Sequence, residues 1–404
     1  MIRRFVFYVA IALLVCALAL GLALLVPTVR ENVVDLYLWY TDQEPPAVQI
    51  VAPSGVVKGT VSVAIVVTDN YACTTTSITV DSATVAGSGV ELLNNELIID
   101  TTKLPDGDHL VQVEAQDLSR RKNVGRATAK FTTDNAPPRL AVELDPPVAT
   151  QGHALLVKVR SNEPATISAA FDGQAITLNR GPDYLWYLTG FDALAKPGEH
   201  LLQLEAADPI GNTSRVTSTI RLAAFPFRTE TIWLPPGNLK QAQENARLLQ
   251  QEKDRRMAAY ARVSPERLWE GVFAWPVAAD ITSDYGTRRS YNGGPVASYH
   301  EGLDLGAKPG TPVLAANRGK VALAQEMKGT GNTVIIDHGL GLYTAYLHLQ
   351  ELRVQEGHEV AKGETIGLVG NTGLFSTGAH LHWEVRLGGI PLEPIEWTRR
   401  AMPE

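Results

Sequence analysis

The chain has 404 residues, 45% of them apolar, which allows two to four domains with true hydrophobic cores. A formal net charge of -7, with no long run of Lys or Arg, argues against nucleic acid as a partner. Cys16 and Cys73, the only two cysteines, fall in unrelated segments, so no disulfide is expected and a thiolate zinc site is excluded; a metal would need His and carboxylate ligands.

Arg3 and Arg4 precede an uncharged run, Phe5 to Val26. As a helix this run is about 33 Å long, enough for a hydrocarbon core of roughly 30 Å. The flanking arginines favour a cytoplasmic N-terminus. The alternative is a cleaved signal peptide with a cleavage site among Ala17, Ala19 and Ala23, but its apolar region would be unusually long. Residues 1–27 are therefore expected to be a cytoplasmic stub and single membrane anchor, with everything after them outside the cytoplasm. Residues 28–46 read as a juxtamembrane linker ending at Glu44-Pro45-Pro46.

Two β-rich regions follow, 47–135 and 137–224, parted by the turn Asn135-Ala136-Pro137-Pro138. Val61 to Val67 and His109 to Ala115 show the β-branched enrichment and alternation of half-buried strands. The stretch Asp106 to Asp117 recurs as Pro197 to Asp208, a spacing of 91 residues. The repeated turn, long strand, Ala-x-Asp and second turn resemble bacterial immunoglobulin-like β-sandwich modules, a likeness of fold that says little about ligands. His109 and His200 occupy equivalent places in the repeat and read as strand-edge residues rather than metal ligands.

Residues 225–268 form a linker. A capping-box pattern at Asn238 to Gln241 opens an amphipathic helix running toward Arg262, with Leu239, Ala242, Ala246, Leu249 and Tyr260 near helical spacing. A coiled-coil seam is disfavoured by its length and interruptions. A second, short helix is expected from Ser264-Pro265.

From Trp269 the chain turns Gly-rich and β-rich, and six of the nine histidines lie there: His300, His338, His348, His358, His380 and His382. In His300-Glu301-Gly302-Leu303-Asp304 an imidazole and a carboxylate stand four apart. An extended strand would separate them by about 13 Å. They can share an ion only if the chain bends, and Gly302 offers a flexible point. By itself this pattern also fits an exposed turn. His380-Leu381-His382 puts two imidazoles on one face of a strand, which fits a cavity or a solvated face. His348, in Tyr346-Leu347-His348-Leu349, is a third strand-like imidazole. Two histidines and one carboxylate would leave a tetrahedral zinc with one open position, and further histidines could move protons.

Taken with Phe273-Ala274-Trp275-Pro276, Ser283-Asp284-Tyr285-Gly286-Thr287-Arg288, Gly331-Asn332-Thr333, Asp337-His338-Gly339, Gly363-Glu364-Thr365-Ile366-Gly367, Gly370-Asn371-Thr372-Gly373 and His380-Leu381-His382-Trp383-Glu384, these motifs follow the order seen in lysostaphin-type (LytM-domain) zinc metallopeptidases. The resemblance covers residues 269–404. It implies a compact antiparallel β fold, a Zn(II) cofactor and hydrolysis of peptide cross-links in bacterial peptidoglycan. It also implies His300, Asp304 and His382 as metal ligands and His348 and His380 as catalytic residues. His338 is then structural and His358 has no role. Tyr285 replaces the usual Phe and Ala379 the usual Pro, and neither change removes a ligand. Tyr291 and Tyr299 are candidates for the tyrosine that some members use to stabilise the transition state. The whole is expected to be mainly β: a transmembrane helix, two Ig-like sandwiches, a helical linker and a C-terminal peptidase domain. Peptidoglycan and the cytoplasmic membrane are its expected partners, with cell-wall or division proteins left open. A non-enzymatic relative that activates other wall hydrolases is the alternative, and it is disfavoured here because all three ligands and both further histidines are present.

Overall fold

The computed structural model describes residues 2–23, 26–84, 90–93, 95–233, 236–376 and 378–403. Helix α1 (Ile2–Ala23) is followed by α2 (Pro27–Thr41), so the segment read as a linker is largely helical. Pro27 stands at the start of α2, where its missing N–H costs nothing. Among the described residues no helix is long and apolar enough to cross a membrane. The run Phe5–Val26 falls partly outside the described residues.

The chain divides into two compact units, 1–137 with 207–213, and 138–206 with 214–404. In the first, a four-stranded sheet (order Ala47–Val51, Thr60–Thr68, Glu96–Asp100, Val90–Leu93) faces a five-stranded one built on Gly107–Asp117 and Val124–Thr133. Alternate side chains, among them Val63, Ile65, Leu97, Ile99, Val111, Val113 and Phe131, fill the space between them. Asp81, in the left-handed region at φ 50°, accepts from Leu110 N and bonds His109 Nδ1.

The second β-region repeats this plan. Its four-stranded sheet runs Leu140–Asp145, Ala154–Ser161, Leu185–Gly190, Asn179–Arg180, and its five-stranded sheet is built on Gly198–Ala207 and Thr213–Ala223. Asp172, at φ 48°, bonds His200 and Leu201 as Asp81 bonds His109 and Leu110, at the same 91-residue offset. One difference is large. Leu155, Val157 and Val159 point into this region's own core, whereas Ala154, Leu156, Trp186 and Leu188 on the other face join the core of the C-terminal domain with Trp269, Phe273, Leu392 and Trp397. Polar contacts seal the junction. Glu396 Oε1 accepts from Ala154 N at 2.9 Å, and Gly152 O accepts from Glu393 N at 2.7 Å.

The C-terminal domain is an antiparallel sheet whose main path is Asp280–Ser283, Leu303–Gly306, Leu381–Leu387, Leu342–Leu349, Gly331–Asp337, Gly319–Met327, Glu359–Val360. One face carries the large core just described. Part of the other face, with Tyr343, Ala345 and Leu347, is covered by Ala259 and Tyr260 at the end of helix α3 (Pro236–Tyr260). The helix expected from Ser264-Pro265 does not form. Ser264 O accepts from Leu340 N and Leu268 N donates to His338 O, so tertiary pairing takes the backbone groups a helical turn would use.

Candidate metal centre

The central strands Leu303–Gly306 and Leu381–Leu387 are antiparallel neighbours in a register that sets Asp304 opposite His382. His382, Glu384 and Arg386 alternate with the core residues Leu381, Trp383 and Val385, so those three polar side chains share one face. His300 arrives from the turn before Leu303, held by its N–H on Thr287 O at 2.9 Å. Gly302 lets it approach, for a reason other than a flexible bend. Its φ is not positive, but a Cβ there would lie 2.5 Å from Trp383 O and 2.7 Å from His382 Nε2.

Three donor atoms converge: His300 Nε2 is 3.0 Å from His382 Nδ1 and 3.1 Å from Asp304 Oδ1, which is 2.9 Å from His382 Nδ1. The opposite ring nitrogens fix the tautomers. His300 Nδ1 lies 2.9 Å from Asp284 O, and His382 Nε2 lies 3.2 Å from Glu384 Oε1. With N–H groups on those sides, both inward nitrogens present lone pairs beside a carboxylate. This donor set fits a divalent metal of the zinc type. Burial opposes ionisation of Asp304, yet its bonds to His300 and His382 hold its carboxyl well below the usual range. Burial likewise opposes charge on His382, and Asp304 and Glu384 override it, pushing the ring up to about 9, so that a metal taking Nδ1 would displace the proton held there beside Asp304.

His348 and His380 border the same cleft of about 210 Å³, which His300, Asp304, His382, Tyr299 and Arg256 also line. Their rings are 5.0 Å apart, and that of His348 is 6.1 Å from that of His382. His380 Nε2 lies 3.6 Å from Asp304 Oδ1, with Nδ1 on Gly378 O at 2.8 Å. His348 has φ 65°, a left-handed backbone costing on the order of 1–3 kcal/mol. It is held by His348 N on Thr330 O and by Nδ1 donating to Thr372 O at 2.9 Å, which leaves Nε2 to exchange a proton. Burial, with the charge on His382 adding to it, pushes His348 down to about 4, so it is neutral at pH 7.

The remaining candidates separate cleanly. His338 is fully buried between Arg318 O and Thr344 Oγ1, away from the cleft residues, and His358 sits 3.9 Å from Glu364. Tyr299 lines the cleft, whereas the Tyr291 hydroxyl bonds Ser298. Three groups escaped the sequence reading of the site. Glu384 anchors His382 and is itself held by Arg386 Nε at 2.6 Å and Tyr260 OH at 3.4 Å; despite burial, Arg386 keeps it ionised. Arg256, from α3, reaches Glu384 Oε1 at 3.8 Å. Strand alternation from His382 would have found Glu384 and Arg386; no local signal points to Arg256.

An antiparallel β domain here presents a His-Asp-His donor set that could hold a divalent metal, beside two further imidazoles. Residues 298–394 match peptidase family M23, and this part of the chain is an M23 (LytM-type) domain. Similar proteins include the peptidoglycan DD-endopeptidase ShyA of Vibrio cholerae, 37% identical over 29% of this chain and 27% of the relative. DD-carboxypeptidase/endopeptidase Mpg of Neisseria meningitidis is 45% identical over 24% of this chain and 22% of the relative. A lipoprotein NlpD/LppB homolog of Pseudomonas aeruginosa is 34% identical over 32% and 41%. The chain thus matches between about a fifth and two fifths of the length of these relatives.

Proposed function

We propose that this chain is a zinc-dependent endopeptidase that hydrolyses peptide cross-links of bacterial peptidoglycan. The observation that carries the reading is one cleft holding a complete His300, Asp304, His382 donor set together with His348 and His380. A zinc ion held by His300, Asp304 and His382 would supply Lewis acidity and acidify a water. His348, neutral at pH 7, takes and returns a proton at Nε2, while His380 assists proton movement and stabilises the developing oxyanion, and Tyr299 faces the same space. Glu384 keeps the His382 tautomer that leaves Nδ1 free for the metal. The apolar run behind Arg3 and Arg4 supports anchoring in the cytoplasmic membrane with the enzyme outside, and the two β-regions, read as Ig-like modules, act as a spacer.

The test is digestion of purified peptidoglycan by the purified chain, with and without a chelator, reading released peptides by mass. His382→Ala is expected to lose tight zinc. His348→Ala is expected to keep it and lose hydrolysis by about 10²–10⁴-fold. Relatives named as an NlpD/LppB homolog and as cell division protein DipM favour a second reading, a wall-associated factor without peptidase activity. Wild-type protein that holds one zinc yet releases no peptide from any peptidoglycan would establish that second reading.

A further inference from the structure

The first β-region holds three carboxylates that the peptidase chemistry does not use. Asp42 is the C-terminal cap of α2, Asp69 follows the strand Thr60–Thr68, and Asp117 ends the strand Gly107–Asp117. One oxygen from each lies within 4.8 Å of the other two. Asp117 is fully buried and Asp42 is 4% exposed. The surrounding donors satisfy only part of the group. Asp117 accepts from Ser119 N, Asn123 N and Asn123 Nδ2, and Asp42 Oδ1 accepts from Glu44 N and Asn70 Nδ2. Asp42 Oδ2 and Asp69 Oδ2 are buried and accept from no N–H or hydroxyl donor among the described residues, so short of a cation only a proton shared between Asp42 and Asp117 relieves the group.

Such an arrangement is unfavourable as it stands. Burial raises the Asp69 carboxyl above its ordinary range, and the Asp42 and Asp117 charges add to the effect. The cluster also sits at the C-terminal end of α2, where the helix dipole favours a cation and opposes an anion. Asp117 recurs as Asp208 at the 91-residue spacing of the internal repeat. A buried carboxylate oxygen with no donor is costly unless a cation meets it.

We propose that Asp42, Asp69 and Asp117 bind a calcium-type divalent cation that fastens α2 to the first β-region. The donors are all oxygen, which selects a hard cation over zinc. They come from three separate segments, which suits the adaptable coordination of calcium better than the strict octahedron of magnesium. The loop after Asp117 already touches α2: Arg120 N donates to Trp39 O at 2.9 Å, and its guanidinium lies 4.9 Å from the Tyr40 ring centre. The cation would complete that attachment.

Trp39 and Tyr40 provide an optical reporter, because a terbium ion at the cluster would be excited through them. In the zinc-loaded full chain, terbium emission is expected to appear on titration and to be displaced by calcium. Calcium at about 5 mM, above the roughly 10⁻⁴–10⁻³ M range of extracellular modules, should raise the melting temperature by about 2–4 °C. Asp69→Asn removes one charge and breaks no hydrogen bond of Oδ2. Without calcium this variant should melt no lower than wild type. With calcium it should bind one equivalent fewer by calorimetry and show at least tenfold weaker terbium emission. The proposal is overturned if wild type shows neither calcium binding nor stabilisation, or if Asp69→Asn keeps the full calcium response. An equal response to magnesium would overturn the calcium assignment.

Discussion

The two β-regions share a plan and a spacing, and even the same Asp–His latch, yet they are held in the molecule differently. In the first, the strand Thr60–Thr68 buries Val63 and Ile65 on one side and leaves Val66 46% exposed on the other. In the second, Ala154, Leu155, Leu156 and Val157 are all buried, because both faces of that sheet are covered. A repeat in sequence therefore marks a common fold and not a common degree of independence. Independence is decided by what the outer face of one sheet touches.

That contrast can be broken most forcefully at Trp186, which lies in the core shared with the C-terminal domain. Trp186→Ala should cost about 3–5 kcal/mol and lower the unfolding midpoint of the second β-region and the C-terminal domain together in urea. Val66→Ala, on the open face of the first region, should stay within about 0.5 kcal/mol. Separate transitions for 138–224 and 225–404 in the Trp186 variant would show that the shared core does not couple them.

Two glycines sharpen the comparison. Gly59, φ +72°, has open space where a Cβ would go. Gly152, φ +82°, comes just before the matching strand, and a Cβ there would lie 2.6 Å from Phe227 and 2.8 Å from Tyr285. Gly59→Ala should cost about 1 kcal/mol through backbone strain alone. Gly152→Ala should cost about 1–3 kcal/mol more, since aromatic rings must shift. The latch predicts equality instead: Asp81→Ala and Asp172→Ala each remove the same two bonds and should each cost about 1–2 kcal/mol. Unequal costs in equilibrium unfolding would show that the latch serves the junction as well as the fold.

A different kind of test concerns pH. Burial pushes Glu396 up to about 8, with the Ala154 N–H only partly opposing it. Unfolded, a glutamate titrates near about 4.3. Between these values the folded chain binds the extra proton, so this group's contribution is full at low pH and fades as pH rises through about 8. Glu396→Gln keeps the acceptor for Ala154 N and should flatten the fall in stability between about pH 5 and 8. An unchanged slope would place the titration elsewhere.

Much of the candidate site was legible because its residues sit in short motifs, whereas the register that sets Asp304 opposite His382 comes from long-range strand pairing. The repeat was legible as well, down to His109 and His200. What was not legible depends on long-range contact. Arg256 is more than a hundred residues from Glu384 in sequence, and the charges along α3 read equally well as a solvated face. The joining of Leu156 and Trp186 to Trp397 left no mark beyond a denser apolar run, which also fits an ordinary strand. The short helix expected at Ser264 lost to backbone pairing with Leu340 that no local pattern announces.

The junction has a mechanical meaning. A pull applied to the chain at Pro138 is not delivered to the metal centre through a slack tether. It enters the strand Leu140–Asp145, passes through its ladder to Ala154–Ser161, and reaches the C-terminal domain through interlocked Leu156, Trp186, Leu392 and Trp397 side chains. Arg400 on Asp145 adds a direct brace at 2.6 Å. A load entering at Pro138 would therefore turn the second β-region and the cleft together, through the side chains they share.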